Sequence, residues 1–296
     1  MSEYERAFDY HVHERHSQDA TETSVKDIVK AAEARRLVEV AFTTHMITGG
    51  VDHGFGLQPD EIQGYLNEIY DAQEDTGVTL RTGVEVDYFP EEERNIERVL
   101  DEYPFDFVLG SVHRVNGLSI ATRDEAAMFF GGRPLRESID EYLKVWNMAI
   151  ESSLFDVMAH PDYFKKYLPA LGYPELTFSD FTPRIYDSFD KLASYGIGFE
   201  VNTSSTRHGS GAFFPVNDFV RGARLAGVKT ITVGSDTHAA NTLGFNIPEA
   251  LSLLEASGYE EVSVFRGRRR AGVRLENLRN RGAEPPAEPL LQPLAF

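Results

Sequence analysis

Cysteine is absent from the 296 residues, which removes disulfides, thiolate metal ligation and a thiol nucleophile. Any bound metal must therefore be held by histidine and carboxylate. No stretch approaches 18 consecutive apolar residues, so the sequence offers no membrane-spanning helix. The N-terminal MSEYERAFDYHVH lacks the basic segment and apolar run of a secretory signal. Positive charge is scarce: 29 Lys and Arg against 47 Asp and Glu leave a net charge of −18, a field that repels nucleic acid and anionic lipid. No G-x-G-x-x-G or G-x-x-x-x-G-K-[ST] turn follows any strand-like run, which removes the usual dinucleotide and P-loop sites. These absences lead us to expect a cytoplasmic protein with neither a nucleic-acid nor a membrane partner. The oligomeric state is left open.

What is present is a regular alternation. The β-rich runs are AFDYHVH (7–13), VEVAFTTH (38–45), TLRTGVEVDY (79–88), FDFVLGSVH (105–113), FDVMAHP (155–161), GIGFEVNTS (196–204) and TITVGSDTH (230–238), with EVSVFR (261–266) an optional eighth. Between them lie amphipathic segments such as 24–37, 59–77, 138–154 and 215–228. Ser24 with Asp27 three residues on is an N-terminal cap, and Gly77 and Gly227 are expected helix stops. Repeated β-α units in one domain favour a barrel with a parallel sheet. Segments 46–58 and 114–137 are expected to be long loops over the active face. The barrel domain is placed at 1–282 and the Pro-rich 283–296 as a poorly ordered tail.

Six of the nine histidines, His11, His13, His45, His113, His160 and His238, fall at or within two residues of the C-terminal end of a strand run. In a β/α barrel those ends converge on one face, so residues distant in sequence become neighbours. Asp9, Glu85, Glu200 and Asp236 occur in the same register. Alternation along a strand turns Asp9, His11 and His13 to one side. Glu85 can bridge two cations, while His113 and His160 can complete the second with neutral imidazole nitrogen. This is the composition of a polynuclear metal centre. His16 and His53 fall in loops and read as solvent-exposed, and His208 beside Arg207 is equally a substrate contact or loop filler. Glu200 and Asn202 either orient ligands or substrate, or tie down a barrel rim.

The ordered motifs DYHVH, FTTH, GVEVDY, GSVH, AHPD, EVNTS and GSDTH, spanning residues 9–238, resemble those of the polymerase-and-histidinol-phosphatase (PHP) superfamily of metal-dependent phosphoesterases. GSVH, AHPDYFKKY, EVNTSSTR and GFNIPEALSLLEASGY are most similar to the stand-alone histidinol-phosphatases. The resemblance implies an α/β fold, a distorted (β/α)7 TIM-like barrel with its metal centre at the C-terminal strand ends. It further implies two to three divalent ions (zinc, iron or manganese). His11, His13, Glu85 and Asp236 would take the first, and Glu85, His113 and His160 the second. A third would take His45, His238 and Asp19, with His16 as substitute, because the family commonly has histidine where Asp19 stands. Thr44 is a second departure, replacing an acidic residue before His45. Catalysis is implied for His11, His13, Glu85, His113, His160, Asp236 and His238. Substrate binding is implied for Arg207 and Lys166, with His208 beside them and Lys165 a second choice. Asp9, Glu200 and Asn202 are placed behind the ligands.

The implied reaction is attack of a metal-activated hydroxide on phosphorus, releasing phosphate from L-histidinol phosphate in histidine biosynthesis. A different small phosphate ester, a nucleotide or sugar phosphate, is the alternative substrate. Protein tyrosine phosphatases of the superfamily fit less well with covering loops. A metal-dependent amidohydrolase would commonly have a lysine on a middle strand. A non-catalytic metal-binding PHP protein is the reading that Thr44 and Asp19 favour.

Overall fold

The seven β-rich runs fold as one parallel sheet. In the computed structural model, which describes Tyr4 and residues 7–181, 183–208 and 211–279, strands and helices alternate from the start. β1 (Phe8–Val12), α1 (Val25–Arg35), β2 (Glu39–Met46), α2 (Ile62–Glu74), β3 (Thr79–Asp87), α3 (Glu93–Glu102) and β4 (Phe107–Ser111) come first. A hairpin of β5 (Arg114–Val115) and β6 (Leu118–Ser119) is followed by α4 (Arg123–Gly131), α5 (Leu135–Ser152) and β7 (Val157–Met158). Then come α6 (Arg184–Tyr195), β8 (Gly198–Asn202), α7 (Asn217–Leu225), β9 (Ile231–Gly234) and α8 (Ile247–Ala256). A second hairpin, β10 (Glu261–Arg266) and β11 (Arg269–Arg274), follows α8. The proposed tail 283–296 lies outside the described residues.

Neighbouring strands run β1-β2-β3-β4-β7-β8-β9, all parallel. A parallel bridge from Val12 to Thr237 joins the two ends, with His13 N donating to Thr237 O at 2.8 Å. The result is a distorted (β/α)7 TIM-like barrel. β1, β4, β8 and β9 are buried at every residue, as parallel strands covered on both faces must be. α1 begins with the expected reciprocal cap: Asp27 N donates to Ser24 Oγ and Ser24 N to Asp27 Oδ2, both at 3.2 Å.

Three expectations change. EVSVFR is a strand outside the ring, because Gly267 and Arg268 both have positive φ (52° and 60°), the backbone of a two-residue hairpin turn that pairs it with β11. Segment 114–137 is structured, since Asn116 and Gly117 make the same kind of turn between β5 and β6, and α4 follows. α2 stops at Glu74, capped by Asp75 N donating to Ala72 O, so Gly77 lies beyond its end. Gly227, by contrast, has φ 90° just past the Ala226 cap of α7, where only glycine is unstrained.

The β10–β11 hairpin closes the N-terminal end of the barrel. Phe265 packs on Phe107, the first residue of β4, at 4.9 Å between ring centroids, and Phe107 packs on Tyr10 at 5.0 Å. Phe265 N donates to Tyr10 Oη at 2.8 Å, and that hydroxyl is bound to Glu39, which Arg81 grips at 3.0 and 3.1 Å. Phe265→Ala should therefore cost about 3–5 kcal/mol in denaturant unfolding, while metal content at the opposite end holds. Loss of both together would contradict this division of the barrel.

Candidate metal centre

The C-terminal strand ends carry the donors. His11 lies in β1 and His13 one residue past it, His45 in β2 and Glu85 in β3. His113 and His160 stand two residues beyond β4 and β7, and Asp236 and His238 follow β9. His160 (φ 26°) and Asp236 (φ 52°) have left-handed backbone, which costs non-glycine residues energy and persists where surroundings impose it. Gly234 is required by close approach. A Cβ there would lie 2.1 Å from Glu200 Oε1 and 2.4 Å from His11 Cβ, in the space where those two side chains meet.

The donors converge on Glu85. His11 Nε2 and His13 Nε2 are 3.0 Å apart. They lie 3.3 and 3.5 Å from Glu85 Oε2, and 3.7 and 3.4 Å from Asp236 Oδ1. Ligands around a tetrahedral zinc, each about 2.0–2.1 Å from it, stand about 3.3 Å apart. Glu85 Oε1 is 2.9 Å from His160 Nε2 and 3.7 Å from His113 Nε2. Asp19 Oδ2 is 3.1 Å from His238 Nε2 and 3.8 Å from His45 Nε2, while His45 Nδ1 is 2.9 Å from Glu85 Oε2. His160 Nδ1 and His238 Nε2 are buried without an aligned hydrogen-bond partner. Divalent cations fit this donor set: lone pairs crowd into small volumes, four overlapping groups of three donors each lie within 4.8 Å, and none needs a thiolate.

Groups behind the donors aim them. Glu200 Oε1 meets His11 Nδ1 at 2.9 Å, while its Oε2 accepts from His160 N and from Asn202 Nδ2. Asn202 Nδ2 also stands 3.4 Å from Asp236 Oδ2. Asp87 Oδ1 lies 2.6 Å from His113 Nδ1 and accepts from Ser111 Oγ, and Ser17 Oγ lies 3.3 Å from His13 Nδ1. Sequence reasoning missed Asp87 and Ser17. The signal for Asp87 was its place two residues after Glu85, on the same strand face.

Asp9 does not share the strand face of His11 and His13. Its carboxylate accepts from the backbone of His11, Ser235 and Gly244, so it ties β1 to the segment after β9 instead of orienting an imidazole. The register shifts between Asp9 and Val12, which interrupts the alternation that would have put Asp9 beside His11 and His13. His16 is half-buried, not solvent-exposed, and turns to Glu14 at 3.0 Å, away from the site that Asp19 occupies. Thr44 donates to Glu14 Oε1 at 2.8 Å, so a buried carboxylate does stand beside position 44. His53 is exposed, as expected. The side chain of His208 lies outside the described residues.

A cavity of about 520 Å³ opens over the donors, and Arg207 and Lys166 line it with them. Arg207 donates from Nη2 to Asp236 O at 2.7 Å and from Nη1 to Ser235 O. Lys166 Nζ donates to Tyr163 Oη at 2.7 Å. Lys165 turns away into a buried pair with Asp162 at 2.8 Å.

Burial opposes charge on His11, yet Glu200, Glu85 and Asp236 hold its pKa well above the ordinary imidazole value. Burial also opposes charge on the partly buried His45, yet Glu85 and Asp19 lift it to about 10. Burial, with His238 and His45, pushes His13 well below the usual value. Burial would raise Glu85 and Asp236, but the surrounding imidazoles hold both well below the carboxylate range. A raised pKa means a proton bound below it, so at pH 7 the metal-free His45 carries a proton that an arriving cation must displace. Metal affinity should rise with pH, and uptake at pH 7 should release protons. Calorimetric metal titrations in buffers of different ionisation enthalpy measure that release; a heat independent of buffer would contradict it.

The chain is similar to known proteins in sequence and in fold. Histidinol-phosphatase of Lactococcus lactis is 26% identical over 265 residues, covering 88% of this chain and 95% of the relative. The "Probable histidinol-phosphatase" of Deinococcus radiodurans is 27% identical over 266 residues, covering 88% and 97%. In fold, the chain is similar to the crystal structure of histidinol phosphate phosphatase from Lactococcus lactis complexed with zinc, L-histidinol and phosphate. The TM-score is 0.75 at 24% identity, over 90% of this chain and 98% of that one. The PHP domain model matches residues 9–204, from the first strand to just past β8. With its histidine and carboxylate donors gathered at the strand ends of a seven-stranded barrel, this chain belongs to the PHP domain family.

Proposed function

We propose that this chain is a metal-dependent phosphomonoesterase that hydrolyses L-histidinol phosphate to L-histidinol and phosphate. The observation that carries the reading is one cavity combining metal donors around Glu85 with two cationic side chains, Arg207 and Lys166. The relatives named histidinol-phosphatase, matched over most of their length, favour this substrate within the family.

Two to three ions are assigned: the first to His11, His13, Glu85 and Asp236, the second to Glu85, His113 and His160, and the third to Asp19, His45 and His238. Zinc in the Lactococcus lactis structure favours zinc over iron or manganese. Bound divalent ions supply Lewis-acid charge for phosphoryl oxygens and lower the pKa of water. The chain's own residues then position the ester. The two backbone carbonyls fix the Arg207 guanidinium beside Asp236, leaving N–H donors to hold phosphate oxygens as a fork. Burial lowers the pKa of Lys166, against the pull of Asp236, Asp19 and Glu85, and its ammonium adds a second positive charge at the cavity wall. Glu200 keeps His11 and the His160 backbone in place while charge develops on phosphorus.

Phosphate release from L-histidinol phosphate is expected to exceed release from nucleotide, sugar and aryl phosphates, and to vanish with chelator. His160→Ala and Asp236→Ala should lower kcat by orders of magnitude with the fold intact, whereas Arg207→Ala should chiefly raise KM. Unchanged turnover in the first two variants would remove the proposed centre.

A further inference from the structure

The cavity has two unlike walls. In the seven-membered ring of strands, β2 stands three neighbours from β7 in one direction and three from β8 in the other, as far across as the ring allows. Lys166 and Arg207 follow β7 and β8, whereas Asp52 and Phe55 lie on the connection after β2, and all four line the cavity. Cationic groups suited to phosphate thus face a wall that offers a carboxylate and an aromatic ring. Phe55 is partly exposed, with its ring 5.8 Å from that of His45.

Asp52 is held firmly but not neutralised. Arg114, at the start of β5, donates to Asp52 Oδ2 from both Nε (2.9 Å) and Nη2 (2.7 Å). The same guanidinium donates from Nη1 to Glu125 Oε2 at 2.9 Å, and Glu125 also accepts from Ser119 N. One positive charge shared by two carboxylates leaves the cluster net negative. Both bonds to Asp52 fall on Oδ2, and its side chain stays 40% exposed.

We propose that Asp52, clamped by Arg114, reads a protonated nitrogen on the alcohol portion of the substrate. On this account the site takes phosphate monoesters of cationic amino alcohols and discriminates against those of neutral alcohols. The inference rests on the phosphatase reading and names the feature of the leaving group that the site selects. With phosphate against Arg207 and Lys166, the alcohol extends across the mouth toward Asp52, and an apolar or aromatic part of it meets Phe55.

The test uses metal-loaded full-length wild type and Asp52→Asn. L-Histidinol and inorganic phosphate are titrated separately, and kcat/KM is measured for L-histidinol phosphate, phosphoethanolamine and glycerol phosphate. Asp52→Asn should weaken L-histidinol relative to phosphate by about tenfold to a hundredfold, the worth of a charge-assisted hydrogen bond. It should reduce the preference for amine-bearing esters over glycerol phosphate by a similar factor. Equal losses for both ligands, or no loss, would overturn the role of Asp52 and leave the phosphatase reading standing. A wild type without preference for amine-bearing esters would overturn it as well. A wild type that ignores L-histidinol phosphate but prefers phosphoethanolamine, with that preference lost in Asp52→Asn, would support Asp52 and overturn the histidinol assignment.

Discussion

The buried carboxylate of Glu85 is the constraint around which the rest of the barrel is arranged. It is 1% exposed, and His11, His13, His45, His113 and His160 all place a ring nitrogen within 3.7 Å of one of its oxygens. Isolating an ionised carboxylate from water is costly unless it is paired. Imidazoles can balance its charge only by carrying an extra proton, and so many protonated rings would repel one another. Divalent cations resolve the conflict, because they let the rings stay neutral while supplying the charge that Glu85 and Asp236 require.

Such a cluster demands a scaffold that tolerates little movement. The barrel delivers its donors from six strand ends, and the left-handed backbone at His160 and Asp236 indicates that side-chain placement outweighs local conformational preference at those two residues. Gly234 omits the side chain that would separate His11 from Glu200. The far end is organised differently, by aromatic packing among Tyr10, Phe107 and Phe265 with the Glu39–Arg81 pair beneath. Stability at one end and chemistry at the other is the usual division of labour in β/α barrels.

Much of this was legible in the residues. The seven strand runs and the six histidines at their ends came from alternation and position alone, since a parallel strand buried on both faces reads as a continuous apolar run that ends where polar groups begin. What stayed hidden depended on tertiary partners. EVSVFR has the period of a strand, but periodicity does not say which strand it joins, and the Gly267–Arg268 turn chose β11. Asn116–Gly117 is a readable hairpin signal, but the length of 114–137 between strand runs reads as a loop and hides it. Asp9 was misplaced because an irregular register cannot be seen in a one-dimensional pattern. Asp19 and His16 are separated only by the folding of the loop after β1, where Glu14, itself held by Thr44, draws His16 away.

The most direct measurement is anomalous diffraction at the zinc edge from crystals of the zinc-loaded chain. The account predicts peaks on both sides of Glu85, one among His11, His13 and Asp236 and one beside His160 and His113. Zinc found only at surface carboxylates, with no peak within ligand distance of Glu85, would contradict it.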